Sequence, residues 1–204
     1  MTLMDVAPPE SKMKWPIPPE DGYFADDLDK IPDLPPHTQL IDGSLVFVSP
    51  QVIFHKRAML MLWRDLAHAA PPEFAAHAEM TVVLGPKQRP EPDVLVTWAL
   101  AEGKHRQTSF TAEDVLLVIE IVSDESRVRD RERKPQLYAA AGIRVFWRVE
   151  LDEQEKVVVY GYELDPATRS YVATGIHRDR ITAAWPFPVE IDLTAIEELP
   201  KPRP

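Results

Sequence analysis

The sequence predicts an α/β fold in which a mixed β-sheet is flanked by helices. Three observations support this class. An amphipathic helix comes early in the chain, a series of short strand patterns follows it, and a strand, a helix and a second strand then occur in succession. This order of elements implies one sheet covered by helices.

Composition limits the kind of protein. With 204 residues and 45% hydrophobic residues, the chain can bury one sizeable core, so we expect a single domain with tails. It has no cysteine, which excludes disulfides and thiolate-bound zinc and fits a reducing cytoplasm. No basic leader precedes an apolar stretch, and no run of roughly 18 apolar residues occurs, so we expect neither secretion nor membrane insertion.

The formal net charge of -10 argues against a broad basic surface that coats nucleic acid. Any contact with nucleic acid must therefore use a local cationic patch.

The first 36 residues differ from the rest in composition. They contain eight of the 21 prolines and few sustained apolar patterns, so we predict an extended N-terminal arm over 1–36. Disorder is the favoured state of this arm, and the alternative is that Trp15, Tyr23 and Phe24 pack against the domain or a second subunit. The domain is predicted over 37–199, followed by a frayed tail over 200–204.

The first elements of the domain have clear signals. The pattern of residues 39–48 predicts a hairpin with Asp42-Gly43 at its turn. Apolar residues then recur at helical spacing from His55 to Ala69, and Pro71-Pro72 ends that helix.

The remaining elements follow in order. We predict one or two strands over 74–84, a strand over 93–97, a surface loop or short helix over 99–112, a buried strand over 115–122, a helix that carries Leu137 and Tyr138 and ends at Gly142, a strand over 144–149, and a hairpin of 156–164 with 171–175.

Glu120 is the chemically conspicuous residue, because it is the only charged position in the apolar run of 115–122. An unpaired carboxylate buried there would cost several kcal/mol, so it must be neutralised, paired with a cation or bound to a metal. Two structural explanations stay open: a strand end at which Glu120 reaches solvent, or an ion pair with a nearby arginine.

Asp93 opens one strand, Glu120 lies in the next strong strand, and Lys134 lies on the helix that follows. If the strands are neighbours, the two carboxylates can share a hard cation such as Mg²⁺, and the backbone carbonyl of Ile121 could add an oxygen. Such a cation and a nearby ammonium suffice for phosphodiester hydrolysis. Equally, Asp93 could cap a turn, and Lys134 could form an ordinary i,i+4 pair with Asp130.

A family resemblance adds to this interpretation. It is carried by Pro92-Asp93, by the stretch 118–123, and by the positions Asp130, Lys134, Tyr138, Ala141-Gly142-Ile143 and Trp147, together with Leu40-Ile41-Asp42-Gly43, Ser49-Pro50 and His55 nearer the N-terminus. From about His37 to Leu193 the chain resembles the Uma-two family of restriction-endonuclease-like proteins, within the PD-(D/E)XK nuclease superfamily.

The resemblance implies a restriction-endonuclease-like α/β core with Asp93 and Glu120 as metal ligands. The superfamily usually has its lysine two residues after the acid, where this chain has Val122, so Lys134 looks like a migrated replacement. The family often has a glutamate before the Leu-Ile-Asp-Gly turn, whereas this chain has Gln39. A neutral amide there removes one negative charge from a site for a dication, so metal affinity or activity is expected to be reduced.

Other residues are accessory candidates. His55 could orient a phosphate or a metal-bound water, although a helix-start residue with local hydrogen bonds is the favoured interpretation. Tyr138 could pack over Lys134 or lie in the hydrophobic core, and the core position is the favoured prediction. Arg127, Arg129, Arg131 and Arg133 form a cationic stretch that could contact a DNA backbone, but acids are interleaved with them, so mutual pairing fits equally well.

The resulting expectation is a cytoplasmic endonuclease that requires Mg²⁺ or Mn²⁺ and acts on DNA. The alternative is a catalytically weakened module of the same fold that binds nucleic acid or protein. A homodimer fits either function, because two symmetry-related sites most easily cut both strands of a duplex.

Overall fold

A computed structural model describes residues 16–103 and 105–197. The predicted features within 1–15, including Trp15, and the predicted tail of 200–204 lie outside the described residues. The helices are α1 (Ile53–Ala69), α2 (Lys134–Ala140) and α3 (Thr194–Glu197). The strands are β1 (Gln39–Ile41), β2 (Ser44–Val46), β3 (Phe74–Ala78), β4 (Thr81–Val83), β5 (Val94–Trp98), β6 (Ser109–Thr111), β7 (Val115–Ile121), β8 (Val145–Leu151), β9 (Val157–Asp165), β10 (Ser170–His177), β11 (Arg180–Ala183) and β12 (Val189–Asp192).

The central sheet has six strands in the order β10-β9-β8-β7-β5-β3. Strands β7 and β8 are parallel, and every other neighbouring pair in this sheet is antiparallel. The connection between β7 and β8 contains α2, as parallel strands require a crossover. The predicted mixed sheet flanked by helices is therefore confirmed.

Strand β7 lies at the centre of the sheet and is buried along its whole length. Successive side chains of a strand point to opposite faces. Ile119 packs into the core under α1, which contains Leu62 and Leu66, whereas Val118 packs into a second core with Tyr138 on the other face. Burial on both faces explains why this strand reads as a continuous apolar run.

Short strand pairs lie beside the central sheet. The hairpin of β1 and β2 turns at Asp42 and Gly43, whose φ angles of 52° and 73° are the left-handed values that a two-residue turn needs. The stretch 99–112, predicted as a loop or short helix, begins with a short 3-10 helix over Ala99–Ala101 and also includes β6, which pairs in parallel with β4. Three residues are too short to show a strand alternation, which is why the sequence did not reveal β6. The pair β11 and β12 was also not predicted.

Residues 16–36 run along the domain. Tyr23 and Ala25 are buried in a small cluster with Leu40, while Phe24 is exposed. Arg89, which is only 3% exposed, anchors this segment: Nη1 donates to the carbonyl of Ala25 at 3.0 Å, and the two Nη groups donate to both carboxylate oxygens of Asp29 at 2.7 and 3.0 Å. A buried guanidinium thus ties the described part of the proline-rich segment to the domain, together with backbone hydrogen bonds from Tyr23 to Gly43 and from Ala25 to Pro86.

Replacing Arg89 with Met should destabilise the fold by about 2 kcal/mol, because it removes several buried hydrogen bonds and leaves their acceptors unpaired. Urea unfolding measures the loss, and limited proteolysis should show faster cleavage within 16–36. Arg180→Met is the control, since Arg180 pairs with Glu190 on an exposed surface, where ion pairs contribute little. Equal stability of the two variants would contradict the anchoring role.

Candidate active site

Strand pairing brings Asp93 and Glu120 together. The antiparallel register pairs Val94 of β5 with Ile119 of β7, so Asp93, directly before β5, lies beside Glu120 near the end of β7. The sequence predicted that these two strands could be neighbours, and the register shows that they are.

Glu120 is 1% exposed and accepts two hydrogen bonds from α2. Lys134 Nζ donates to Oε2 at 2.7 Å, and Tyr138 Oη donates to Oε1 at 2.5 Å. Because Lys134 and Tyr138 are four residues apart, both lie on the face of α2 that covers the sheet. Glu120 therefore neither reaches solvent at a strand end nor pairs with an arginine. Tyr138 is both a core residue and a partner of the acid.

Asp130 is a further buried acid in this cluster. It is 2% exposed, and its Oδ1 lies 3.2 Å from Lys134 Nζ, within ion-pair distance but without the alignment of a hydrogen bond. A π-helical turn over Arg129–Arg133 leads directly into α2 and carries this residue. The i,i+4 spacing predicted the contact with Lys134, but it did not show that both side chains are buried beside Glu120.

Burial and charge shift the protonation equilibria of the cluster. Burial raises the pKa of Glu120 well above its usual value, and the neighbouring carboxylates of Asp130 and Asp93 raise it further, against the attraction of Lys134. Burial likewise raises the pKa of Asp130. Burial alone would lower the pKa of Lys134, but the three carboxylates outweigh it and raise that pKa, so Lys134 is an ammonium ion.

Asp93 is held from two sides. His55 Nε2 lies 3.0 Å from Oδ1, and the backbone N–H of Ile121 donates to Oδ2 at 2.6 Å. His55 Nδ1 is buried without a hydrogen-bond partner among the described residues. His55 therefore contacts a residue distant in sequence, whereas the favoured prediction was a helix-start residue with local hydrogen bonds. The role of the Ile121 carbonyl stays a prediction.

A cavity of about 310 Å³ opens over these residues. Gln39 lines it and is buried, and its Oε1 accepts the N–H of Glu91 at 3.2 Å. The Glu91 side chain lies 2.6 Å from His37 Nδ1, and burial raises the pKa of Glu91. Neither Glu91 nor His37 was predicted to lie at the site. The only sequence signal was that Glu91 lies two positions before Asp93.

The donor set suits a divalent cation in chemistry and charge. Asp93, Glu120 and Asp130 are oxygen donors, as Mg²⁺ prefers, and three carboxylates face one ammonium, so a dication would offset the surplus negative charge. Yet among residues 16–103 and 105–197, no group of three or more His, Asp or Glu side chains is arranged to hold a metal. Each oxygen of Glu120 already accepts one hydrogen bond, which leaves a further lone pair on each oxygen for a cation.

The four clustered arginines are each paired with an acid. Arg127 pairs with Asp124 and Arg129 with Glu125, whereas Arg131 reaches Glu150 and Arg133 reaches Asp42. The interleaved acids thus account for two of the pairs, and contact with a DNA backbone stays a prediction for Arg127, Arg129 and Arg131.

A mixed sheet with acids and a lysine meeting beside its central strand places the protein in the restriction-endonuclease-like α/β class. The chain belongs to the Uma2 family, described as "Putative restriction endonuclease", whose model matches residues 25–195. This match confirms the predicted resemblance and begins within the segment predicted as an arm.

One solved structure supports the same fold. It is described as a "putative nuclease belonging to DUF820" from Anabaena variabilis ATCC 29413. The two structures match with a TM-score of 0.61 and 17% sequence identity, and the match covers 84% of this chain and 95% of that chain. No curated protein sequence matches the chain. Within the described residues, each helix is too short or too polar to cross a membrane.

Replacing Lys134 with Met should destabilise the protein by roughly 3 to 5 kcal/mol near neutral pH, because it leaves buried carboxylates without their cation. The deficit should shrink at about pH 5. Carboxyl groups whose pKa is raised by folding bind more protons in the folded state, so their contribution to stability falls as pH rises.

Thermal unfolding at about pH 5 and pH 8 measures this effect. Lys156→Met is the matched control, since Lys156 pairs with Glu197 on the surface. A Lys134→Met deficit that is the same at both pH values would show that the buried carboxylates do not depend on the lysine charge.

Proposed function

We propose that this protein is an endonuclease that hydrolyses phosphodiester bonds in DNA and depends on Mg²⁺ or Mn²⁺. The observation that carries the proposal is the convergence of Asp93, Glu120 and Lys134 on one cavity. Membership of the Uma2 family supports the nuclease part, and the carboxylate chemistry supports the metal.

Each residue then has a distinct role. Asp93 and Glu120 would hold the cation, which when bound polarises the phosphoryl oxygen and activates water. Lys134 does not accept a proton, because its pKa is raised and it is already an ammonium. It instead donates hydrogen bonds, which suits stabilisation of the negative charge that develops on the phosphoryl group.

Other groups maintain this arrangement. His55 and the Ile121 N–H hold the two oxygens of Asp93, while Tyr138 holds one oxygen of Glu120. Fixed carboxylates need less reorganisation when substrate binds. The proposal includes a homodimer, since two symmetry-related sites would cut both strands of a duplex.

The alternative function is a weakened module that binds nucleic acid or protein without cutting. Gln39 favours it, because a neutral amide occupies the cavity and its oxygen is already engaged by Glu91. DNA binding without cleavage in the presence of either metal would select this alternative, and Gln39→Glu would then be the variant in which to look for restored activity.

Cleavage of supercoiled plasmid with Mg²⁺ or Mn²⁺ should fall by more than about a hundredfold in Glu120→Gln. Glutamine keeps the size and an acceptor for Tyr138 but removes the charge. Glu163→Gln is the control with the same chemical change, since Glu163 pairs with Arg144 on an exposed part of β9. Equal cleavage by both variants would show that the activity belongs to a different site or to a contaminant.

Divalent metal should also raise the melting temperature of the native chain. A ligand at 100 times its Kd stabilises the folded state by about 2.7 kcal/mol. Asp93→Asn should lose this stabilisation, whereas Glu163→Gln should keep it. If metal stabilises Asp93→Asn as much as the native chain, Asp93 is not a metal ligand, whatever the outcome of the plasmid assay.

A further inference from the structure

His37 lies at the site without a role in the proposed function. It lines the same cavity as Asp93, Glu120 and Lys134. Its side chain is 43% exposed, so the ring can exchange protons with solvent. A cavity of about 310 Å³ has the size of a small-molecule site, so a phosphodiester group bound beside the carboxylates would lie close to this ring.

One nitrogen of the His37 ring is held by carboxylates. Nδ1 lies 2.6 Å from Oε1 of Glu91, within hydrogen-bond distance. It also lies 3.9 Å from Oε1 of Glu79, which is itself paired with Lys56. Neither contact uses Nε2. A carboxylate at Nδ1 orients an imidazole and stabilises its charged form, so Nε2 is the nitrogen that can serve a ligand.

The backbone at His37 is held in an uncommon conformation. Its φ angle of 60° lies in the left-handed region, which residues with a β-carbon rarely adopt. Such residues are concentrated at functional sites, where surrounding contacts fix them. Gln39, two positions later, is buried and accepts the N–H of Glu91. The segment that carries His37 is therefore tied to the stretch that leads into Asp93.

Proton transfer is the chemistry that the other residues of the cavity leave open. The oxygen that leaves phosphorus departs more easily when a positioned acid protonates it. Burial alone would lower the pKa of Lys134, but the nearby carboxylates outweigh burial and raise it, so Lys134 keeps its proton. The other histidine in the lining, His55, is 4% exposed and contacts Asp93. His37 is thus the lining histidine that can give a proton to a ligand and regain one from solvent.

We propose that His37, oriented by Glu91, is the general acid of this site and protonates the leaving oxygen of the phosphodiester. This inference rests on the proposed function, because it names the proton donor of the same hydrolysis. As the oxygen of water forms its bond to phosphorus, the bond from phosphorus to the leaving oxygen breaks, and its electron pair stays on that oxygen. Nε2 of the imidazolium gives its proton to this oxygen. The attacking water loses a proton to solvent, and His37 regains one from solvent.

Plasmid cleavage by His37→Gly with Mg²⁺ tests the inference. Glycine adopts a φ of 60° without strain, so this variant should fold, and the missing ring leaves space for added imidazole. The rate at saturating plasmid should fall about a hundredfold or more, as expected for loss of a general acid, whereas the plasmid concentration at half-saturation should not change. Added imidazole should then raise the rate of His37→Gly by about tenfold or more. It should not raise the rate of Glu120→Gln.

Glu155→Gly is the matched control. Glu155 also has a left-handed φ, of 58°, and it is exposed in the turn between β8 and β9, away from the cavity. Its replacement makes the same backbone change without touching the site. This variant should cut plasmid at the native rate and should not respond to imidazole.

The orienting role of Glu91 has its own test. Glu91→Gln should lower the rate of the native chain but should have no further effect in His37→Gly, because residues that act as a unit are not additive. A further loss in the double variant would show that Glu91 acts apart from His37, and would overturn its role in orienting the ring.

The outcomes separate this inference from the proposed function. A native rate in His37→Gly would overturn the general acid, while plasmid cleavage by the native chain would still support the endonuclease. A loss that imidazole does not reverse would show a structural role for His37 and would also overturn the inference. If the folded native chain cuts no plasmid, the endonuclease and its general acid are both overturned.

Discussion

The buried ion pair between Glu120 and Lys134 is the constraint on which the rest of the site depends. Two ions removed from water cost several kcal/mol each, and their attraction offsets that cost only when the remaining hydrogen bonds are also made. Tyr138 supplies one of them to Glu120, and Asp130 adds a second anion beside the lysine. These contacts require α2 to lie over β7 in one register, so a change in the helix position would leave a charge unpaired.

The topology of the sheet explains how each part of the site reaches Glu120. Antiparallel β5 begins beside the end of β7 and so presents Asp93. Parallel β8 can be reached only by a crossover, and that crossover is the segment that carries Asp130 and Lys134. The same parallel register sets Arg148 beside Glu120 on one face. The central position of β7 therefore gives a single acid neighbours from three separate stretches of the chain.

How well each feature could be predicted from the sequence depends on how far apart in the chain the interacting residues lie. Strand β7 and the Asp42-Gly43 hairpin were predictable because local pattern determines them, and Glu120 was conspicuous because it interrupts such a pattern. Strand β6, the packing of residues 16–36 through Arg89 and the position of Glu91 in the cavity depend on contacts between distant segments, which leave no local signal. The order of elements placed Lys134 near Asp93 and Glu120, but spacing left open an ordinary helix pair with Asp130. The family resemblance favoured the first interpretation, and the structure shows the contact of Lys134 with Glu120.

The excess of negative charge in this protein limits how a polyanion can bind at the site. The chain is acidic overall, the cavity over Asp93 and Glu120 contains more carboxylates than cations, and the clustered arginines are paired with acids. A polyanion therefore gains little from the field of the whole protein. Its approach would depend on local neutralisation, by the dication proposed beside Asp93 and Glu120. Binding of that metal and binding of a phosphate strand should therefore reinforce each other, because the positive charge of the metal offsets the negative charge both of the carboxylates and of the strand.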